Sequence, residues 1–256
     1  MSLLVTALDA VVAVDAPPPT LRQLAVLLPQ AEPGACPGTT IRFHGQTVDG
    51  PDGRTEVGDD AAALEIILAL VNRAGIEQCE SFAAHCGVVA QDGRALAFPA
   101  QSGGGKSTLV AACLADGWSY VSDEALVADW TTGALRTYAK PLTLHRWALQ
   151  RLQLTGPAAG RQERAVRPEE FGAATAKGLL RLAHVVIPRR AQGPADLVEV
   201  DRAVAATTLL RHSFNHYRRP VESVRLVSEL ARQASTWDLR FDDPVEAALL
   251  LRSRFG

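Results

Sequence analysis

Residues 99–127 read PAQSGGGKSTLVAACLADGWSYVSDEALV, and this stretch decides the fold. Its first half has the form of a phosphate-binding loop. The usual pattern is G-x-x-x-x-G-K-[ST]; here it is AQSGGGKS, with Ala100 in place of the first glycine. Gly103, Gly104 and Gly105 let the backbone come close to an anion, so that successive N–H groups can wrap it. Lys106 is placed to reach the β- and γ-phosphates of a nucleotide and Ser107 to offer its hydroxyl to Mg2+, while the following helix presents its positive end. An apolar run at 95–98 precedes the loop and a helix-forming run at 107–115 follows it, which is the context that such a loop requires. The expectation is ATP with Mg2+, held by Ser102, Gly103, Gly104, Gly105, Lys106, Ser107 and Thr108.

The second half of the stretch explains what that loop is for. Gly117 ends the helix, 118–122 reads as a strand, and the strand ends on two acids, Asp123 and Glu124. Asp123 comes only 16 residues after Ser107, room for one helix and one strand. In motor and transporter ATPases the metal-binding acid lies much further on, and no LSGGQ-like signature is present here. The acids are therefore expected on the first strand after the loop helix, where a phosphoryl acceptor could approach the γ-phosphate. One can take the acceptor's proton while the other helps to hold Mg2+. Strand alternation puts them on opposite faces unless the backbone turns at Asp123, and Asp123 is favoured as the acid nearer the transferred phosphate.

Working outward, FAAHCGVVAQDGRALAFPA is a hairpin whose turn at 91–94 contains Asp92-Gly93. Further strands are expected at 125–130, 142–144 and 184–187, and helices at 203–213, 221–233 and from Pro244 onward. Residues 156–177, rich in Gly, Ala, Arg and Glu, read as an exposed connection or lid. Residues 1–58 are turn-rich and β-like, with a strand pair or a strand and turn at the start and a short helix near 21–28. A mostly apolar, buried helix then starts at a cap on Asp59 or Asp60 and stops at Gly75. The division expected is 1–80, a β-rich N-terminal segment or small subdomain, and 81–256, a P-loop kinase core.

The 256 residues are 47% hydrophobic with a net charge of -2, the composition of a globular chain large enough for a full core. That balance speaks against nucleic acid as the main partner. The basic and aromatic run RHSFNHYRRP at 211–220 does not reverse this, because it falls at a helix end where cations favour the dipole. Cys36, Cys79, Cys86 and Cys113 form no C-x-x-C pair, so reduced thiols are expected. No stretch has the length and apolarity of a membrane span, and the first residues carry Asp9 and Asp15 with no base, unlike a signal peptide. A cytoplasmic protein with no membrane partner is expected; homo-oligomer formation is left open.

These residues resemble the HPr kinase/phosphorylase family, and more closely its shorter relatives, the HPr-kinase-related serine kinases, some of which phosphorylate lasso-peptide precursors. The family has a histidine and small residue on a strand, a hairpin, an SGxGKS loop, a helix, a glycine and a strand ending in two acids. This chain has His85, Ser102 to Ser107, Gly117 and Asp123-Glu124 in that order. VIPRRAQG, with Pro188 and Arg189, is similar to the family's FPRY-x-x-G segment, and YAKPLTLHR, with Lys140 and Pro141, to its PRPL-x-L segment. The resemblance spans roughly residues 80–220. It implies an α/β fold with a P-loop kinase core of the HPr kinase/PEP carboxykinase-like type. It also implies transfer of phosphate from ATP to an acceptor serine on a peptide or small protein. His85 would lie near the transferred phosphate, Lys106 would contact it, and Ser107 would hold Mg2+. The acid pair Asp123 and Glu124 would supply the base and a share of the metal site, and Arg189 would offset charge on the moving group. The chain departs from the pattern at Glu124, where the family has Asp, and at Ala100. It also lacks the E-I-R-G-x-G signature of the full-length enzymes, whose reverse phosphorolysis is therefore not expected, and their N-terminal domain is not recognisable in 1–80.

Overall fold

The computed structural model describes residues 2–100, 105–157 and 160–256. They form a mixed α/β protein of two compact units, Met1–Glu80 and Ser81–Gly256. Ser102, Gly103 and Gly104, expected to bind phosphate, lie outside the described residues.

In the first unit, strands β1 (Ser2–Ala7) and β2 (Ala10–Asp15) form a hairpin, followed by helix α1 (Pro18–Leu27). Strand β3 (Thr39–His44) runs parallel to β2, and β4 (Thr47–Gly50) and β5 (Gly53–Glu56) extend the sheet in the order β1-β2-β3-β4-β5. Helix α2 (Asp60–Gln78) lies across it. Asp59 caps α2 by accepting the Ala62 N–H at 2.8 Å. The helix does not stop at Gly75, however. A Cβ on Gly75 would stand 2.8 Å from the Ala7 Cβ and 2.9 Å from the Ala7 carbonyl oxygen. This glycine serves a close helix–strand approach rather than a cap, and α2 buries the stripe Ala63, Ile67, Val71, Ala74 rather than most of its faces.

The second unit begins with β6 (Phe82–Gln91) and β7 (Arg94–Pro99), joined by the expected two-residue turn. Asp92 and Gly93 both have positive φ, 49° and 77°, as a type I′ turn demands. Helix α3 (Lys106–Ala115) follows, then β8 (Ser119–Ser122), β9 (Ala125–Ala128), β10 (Leu135–Arg136), β11 (Leu142–His145) and helix α4 (Arg146–Arg151). Strands β12 (Glu163–Val166), β13 (Arg181–Arg190) and β14 (Asp196–Glu199) come next. Helices α5 (Arg202–Arg211) and α6 (Pro220–Gln233), strand β15 (Ser235–Phe241) and helix α7 (Pro244–Phe255) complete the unit. Among the described residues the main sheet runs β10-β9-β6-β7-β13-β15-β14, with β8 also on β6. Its centre, β7-β13-β15, is parallel, so the carboxyl ends at Pro99, Arg190 and Phe241 share one edge.

Both faces of the sheet are covered. On β7, Leu96 and Phe98 pack with α3 and α7, while Ala95 and Ala97 pack with α5 and α6; period-two alternation feeds two separate cores from one strand. Gly117, at φ 91°, turns the chain out of α3. Among its described residues the segment 156–177 is mostly exposed or half-buried, as expected of a connection, but it is tied down rather than free. β12 pairs with β11, and the Ala174 and Ala176 main chains bond both sides of Tyr120 at 2.9 and 2.7 Å. Among the described residues, no helix is long and apolar enough to cross a membrane.

Candidate active site

The site is built where α3 starts against β6. Gly105, at φ 82°, is the N-cap of α3 and puts Lys106 into its first turn. Gly87 on β6 lets the two elements touch, because a Cβ there would fall 2.6 Å from Val110 Cγ2 and 3.8 Å from Lys106 Cβ. Lys106 is therefore buried. Burial pushes its pKa below the ordinary lysine value, while Cys86, Glu124 and Asp123 oppose the shift. The lysine and the two acids are thus within electrostatic reach of one another.

β8 and β9 run in line along β6, with Ser122 opposite Val88 and Ala125 opposite His85. Asp123 and Glu124 sit at the break between them. The Ser122 hydroxyl accepts the N–H groups of Glu124 and Ala125 at 3.1 and 3.0 Å, which bends the chain there. The bend overrides strand alternation: both acids reach one cation, the Lys140 ammonium, at 3.0 Å from Asp123 Oδ1 and 3.8 Å from Glu124 Oε2.

The two acids differ in their surroundings. The Asp123 side chain is only 3% exposed. Its Oδ1 accepts the Tyr120 hydroxyl at 3.0 Å, and its N–H donates back to the same phenolic oxygen at 3.1 Å. Glu124 is 22% exposed, and His85 Nδ1 lies 3.4 Å from its Oε1 and 3.1 Å from its main-chain oxygen. Both neighbours can only accept, so Nδ1 carries the proton. Burial works to raise the Glu124 pKa, but the His85 hydrogen bond together with Lys140, His85 and Lys106 brings it below the usual glutamate value. Burial likewise works against charge on Lys140, yet Asp123 and Glu124 hold its pKa above the ordinary lysine value.

His85 is fixed from behind. Its N–H donates to the His212 carbonyl at 2.8 Å, and its ring meets Phe214 edge-on at 5.6 Å. Asn215, buried, accepts the Ala83 N–H at 3.1 Å and donates to the Ser81 carbonyl at 2.8 Å, which holds this stretch on β6. His212 has a pKa below the ordinary value through burial, then through His85, Lys106 and Arg211.

The structure therefore brings His85, Lys106, Asp123 and Glu124 together, with Ser107 and Thr108 following in the first turn of α3. Arg189 is not with them. At the end of β13 it is 62% exposed and paired to Asp238 on β15. Alternation turns its neighbour Arg190 the other way: the Arg190 Cδ lies 3.9 Å from where a Cβ on Gly105 would stand, and its guanidinium lies over Trp147 at 5.3 Å and Phe241 at 5.5 Å. Sequence reasoning missed Lys140, Tyr120 and Arg190 as site residues. Arg190 had a signal, an arginine beside the one chosen, and Lys140 had one in the YAKPLTLHR segment that resembles the family; Tyr120 had none beyond its place in the strand before the acids.

Among the described residues, no group of three or more His, Cys, Asp and Glu side chains is placed to hold a metal ion. Ser107 follows Lys106 in the first turn of α3. The acid pair does not fit a metal ion as it stands, because Lys140 already lies against both carboxylates. No family model matches the chain, and no curated protein matches it.

Proposed function

We propose that the chain is an ATP- and Mg2+-dependent phosphotransferase with a P-loop core of the HPr kinase type, acting on a serine-type hydroxyl of a peptide or small protein. One observation carries this reading. A histidine, a lysine and two acids, spread from position 85 to 124, converge at the first turn of the helix behind the glycine-rich loop. A protein that only binds a nucleotide has no need of an ionised carboxylate held by a histidine at that place.

In this reading the loop 102–108 cradles the triphosphate, and Lys106 and the amino end of α3 face its negative charge. Mg2+ held by Ser107 supplies further neutralisation of the phosphates. Glu124, rather than the Asp123 favoured from the sequence, is the more open acid and is kept ionised by His85 and Lys140, and it accepts the proton of the acceptor hydroxyl. That oxygen bonds to the γ-phosphorus as the bond from phosphorus to the leaving ADP oxygen breaks. Arg190, rather than Arg189, is the arginine close enough to Gly105 to offset charge on the phosphates. The peptide class of the acceptor rests on the family resemblance alone.

The test is ADP release and label transfer from γ-labelled ATP by the purified chain, with serine-containing peptides, free serine and sugars offered as acceptors. Transfer to peptide that is lost in Lys106→Ala supports the proposal. Transfer only to free serine or sugar would move the acceptor to small molecules. ATP binding with no transfer to any acceptor would leave a nucleotide-binding regulator and end the kinase reading.

A further inference from the structure

Lys140 meets the acid pair in a way that ordinary surface pairing does not explain. Its side chain is 14% exposed and faces Asp123, which is 3% exposed. The ammonium has three N–H groups and three acceptors in reach: Asp123 Oδ1 at 3.0 Å, Glu124 Oε2 at 3.8 Å and the Pro141 carbonyl at 3.3 Å. The backbone of Lys140 is pinned as well. The single Tyr120 hydroxyl proton faces two acceptors, Asp123 Oδ1 at 3.0 Å and the Lys140 carbonyl oxygen at 2.9 Å, so the phenol lies against both the acid and the main chain of the lysine that holds it. Tyr120 is itself fully buried and clamped on both sides by residues 174 and 176.

We infer that Lys140 is the resident cation of the acid pair: its ammonium stands between Asp123 and Glu124 where a metal ion would otherwise bind, so the two acids work as a lysine-clamped pair and not as metal ligands. The sequence-based expectation that they share the Mg2+ with Ser107 is thereby replaced. Two carboxylates side by side, Asp123 buried and Glu124 partly so, repel unless a positive charge lies between them. A lysine supplies that charge permanently, whereas an ion would come and go with its concentration. A divalent ion at the same place would have to displace an ammonium that is already hydrogen-bonded and enclosed. The division of labour follows: Asp123 anchors Lys140, and Glu124, touched by Lys140 from the far side, is left to His85 and the acceptor. That consequence rests on the kinase reading, but the clamp itself is tested on the protein alone, so either can fail without the other.

The experiment is Mn2+ binding to the full chain without nucleotide, followed by loss of the free-ion electron paramagnetic resonance signal. The readout is the Asp123-dependent part, the difference between a protein and its Asp123→Asn counterpart. Wild type is expected to show none. Lys140→Gln is expected to gain about one bound ion per chain, lost again in the Lys140→Gln/Asp123→Asn double variant. Lys140→Arg, which keeps the charge, is expected to behave as wild type. Asp123-dependent Mn2+ binding by the wild-type chain overturns the inference, and so does a folded Lys140→Gln variant that gains no ion. The wild-type comparison decides the matter even where Lys140→Gln does not fold.

Discussion

Gly87→Ala tests whether the contact between β6 and α3 sets the site. The strand φ at Gly87 suits any residue, so the effect is purely one of space. The new Cβ would lie 2.6 Å from Val110 Cγ2 and 3.6 Å from Phe98 Cδ2. Carbon atoms rest at about 3.5–4.0 Å, so the Val110 contact must open by roughly 1 Å. Val110 is fully buried among Phe98, Leu109 and the rest of that core, and the relief open to it is a shift of α3 away from the sheet. Overpacking of this kind costs about 1–3 kcal/mol, and replacing a strand glycine returns about 0.5–1 kcal/mol. The expected net loss is about 1–2 kcal/mol, or roughly 3–6 °C in the melting temperature of a unit of this size. Because Lys106 stands on the shifted turn, ATP affinity should fall about tenfold, which is ~1.4 kcal/mol. Calorimetric melting and ATP titration read both effects. Val110→Ala removes the methyl that the new Cβ would meet, so the two changes together should be more stable than their sum by about 1–2 kcal/mol. A Gly87→Ala protein that melts at or above wild type, or two changes that simply add, would refute the argument.

Other outcomes follow from the same geometry. Lys106→Ala should abolish nucleotide binding by isothermal titration while far-UV circular dichroism and melting change little, since burial already disfavours the charge of this lysine. Asp123→Asn and Glu124→Gln should separate: the first breaks the enclosed pair with Lys140 and should cost about 3–5 kcal/mol in urea unfolding. The second should leave stability nearly intact and lower turnover by roughly 10²–10⁴, and equal losses of turnover with equal stability would contradict the assignment. His184, stacked on Phe255 and bonded to Ser235, has its pKa lowered from 6.5 to about 4 by burial, then by Arg94 and Arg254. The unfolded chain takes up that proton first as pH falls from 6.5 towards 4, so about 2–3 kcal/mol of stability present above pH 6.5 should be lost across that window. Urea unfolding of His184→Gln across the same pH range should show a flatter acid limb.

Much of the second unit was legible because its signals are local. The Asp92-Gly93 turn needs two positive φ angles, which that pair supplies. The glycine at 117 and the apolar runs around the loop mark α3 and its neighbours within one or two residues. Gly75 misled for a physical reason: it looks like a helix end, yet its missing side chain is used where α2 crosses Ala7, a contact between residues far apart in sequence. Residues 156–177 are the largely exposed or half-buried connection that their composition indicates, but composition says nothing of the pairing that β11 and Tyr120 offer them. β15 went unread although STWDLRF alternates Trp237, Leu239 and Phe241, all buried, a period-two signal broken only by the charged residues between them. What makes it a strand is its place between β13 and β14.

The sequence by itself determined the order of strand, loop, helix and acid-tipped strand, and with it the candidate residues His85, Lys106, Asp123 and Glu124. Backbone sterics and hydrogen bonding act over a few residues, and a local pattern is enough to write such elements. Tertiary structure alone decided how those residues are paired and how deeply each is buried. The turn at Ser122 aims both acids at Lys140, β13 delivers Arg190 to Gly105 and carries Arg189 to Asp238, and Tyr120 closes the cluster around Asp123. Charges far apart along the chain meet only once the sheet has assembled. The strength of their interaction depends on burial and on distances of a few ångströms, quantities that the linear order of residues does not contain.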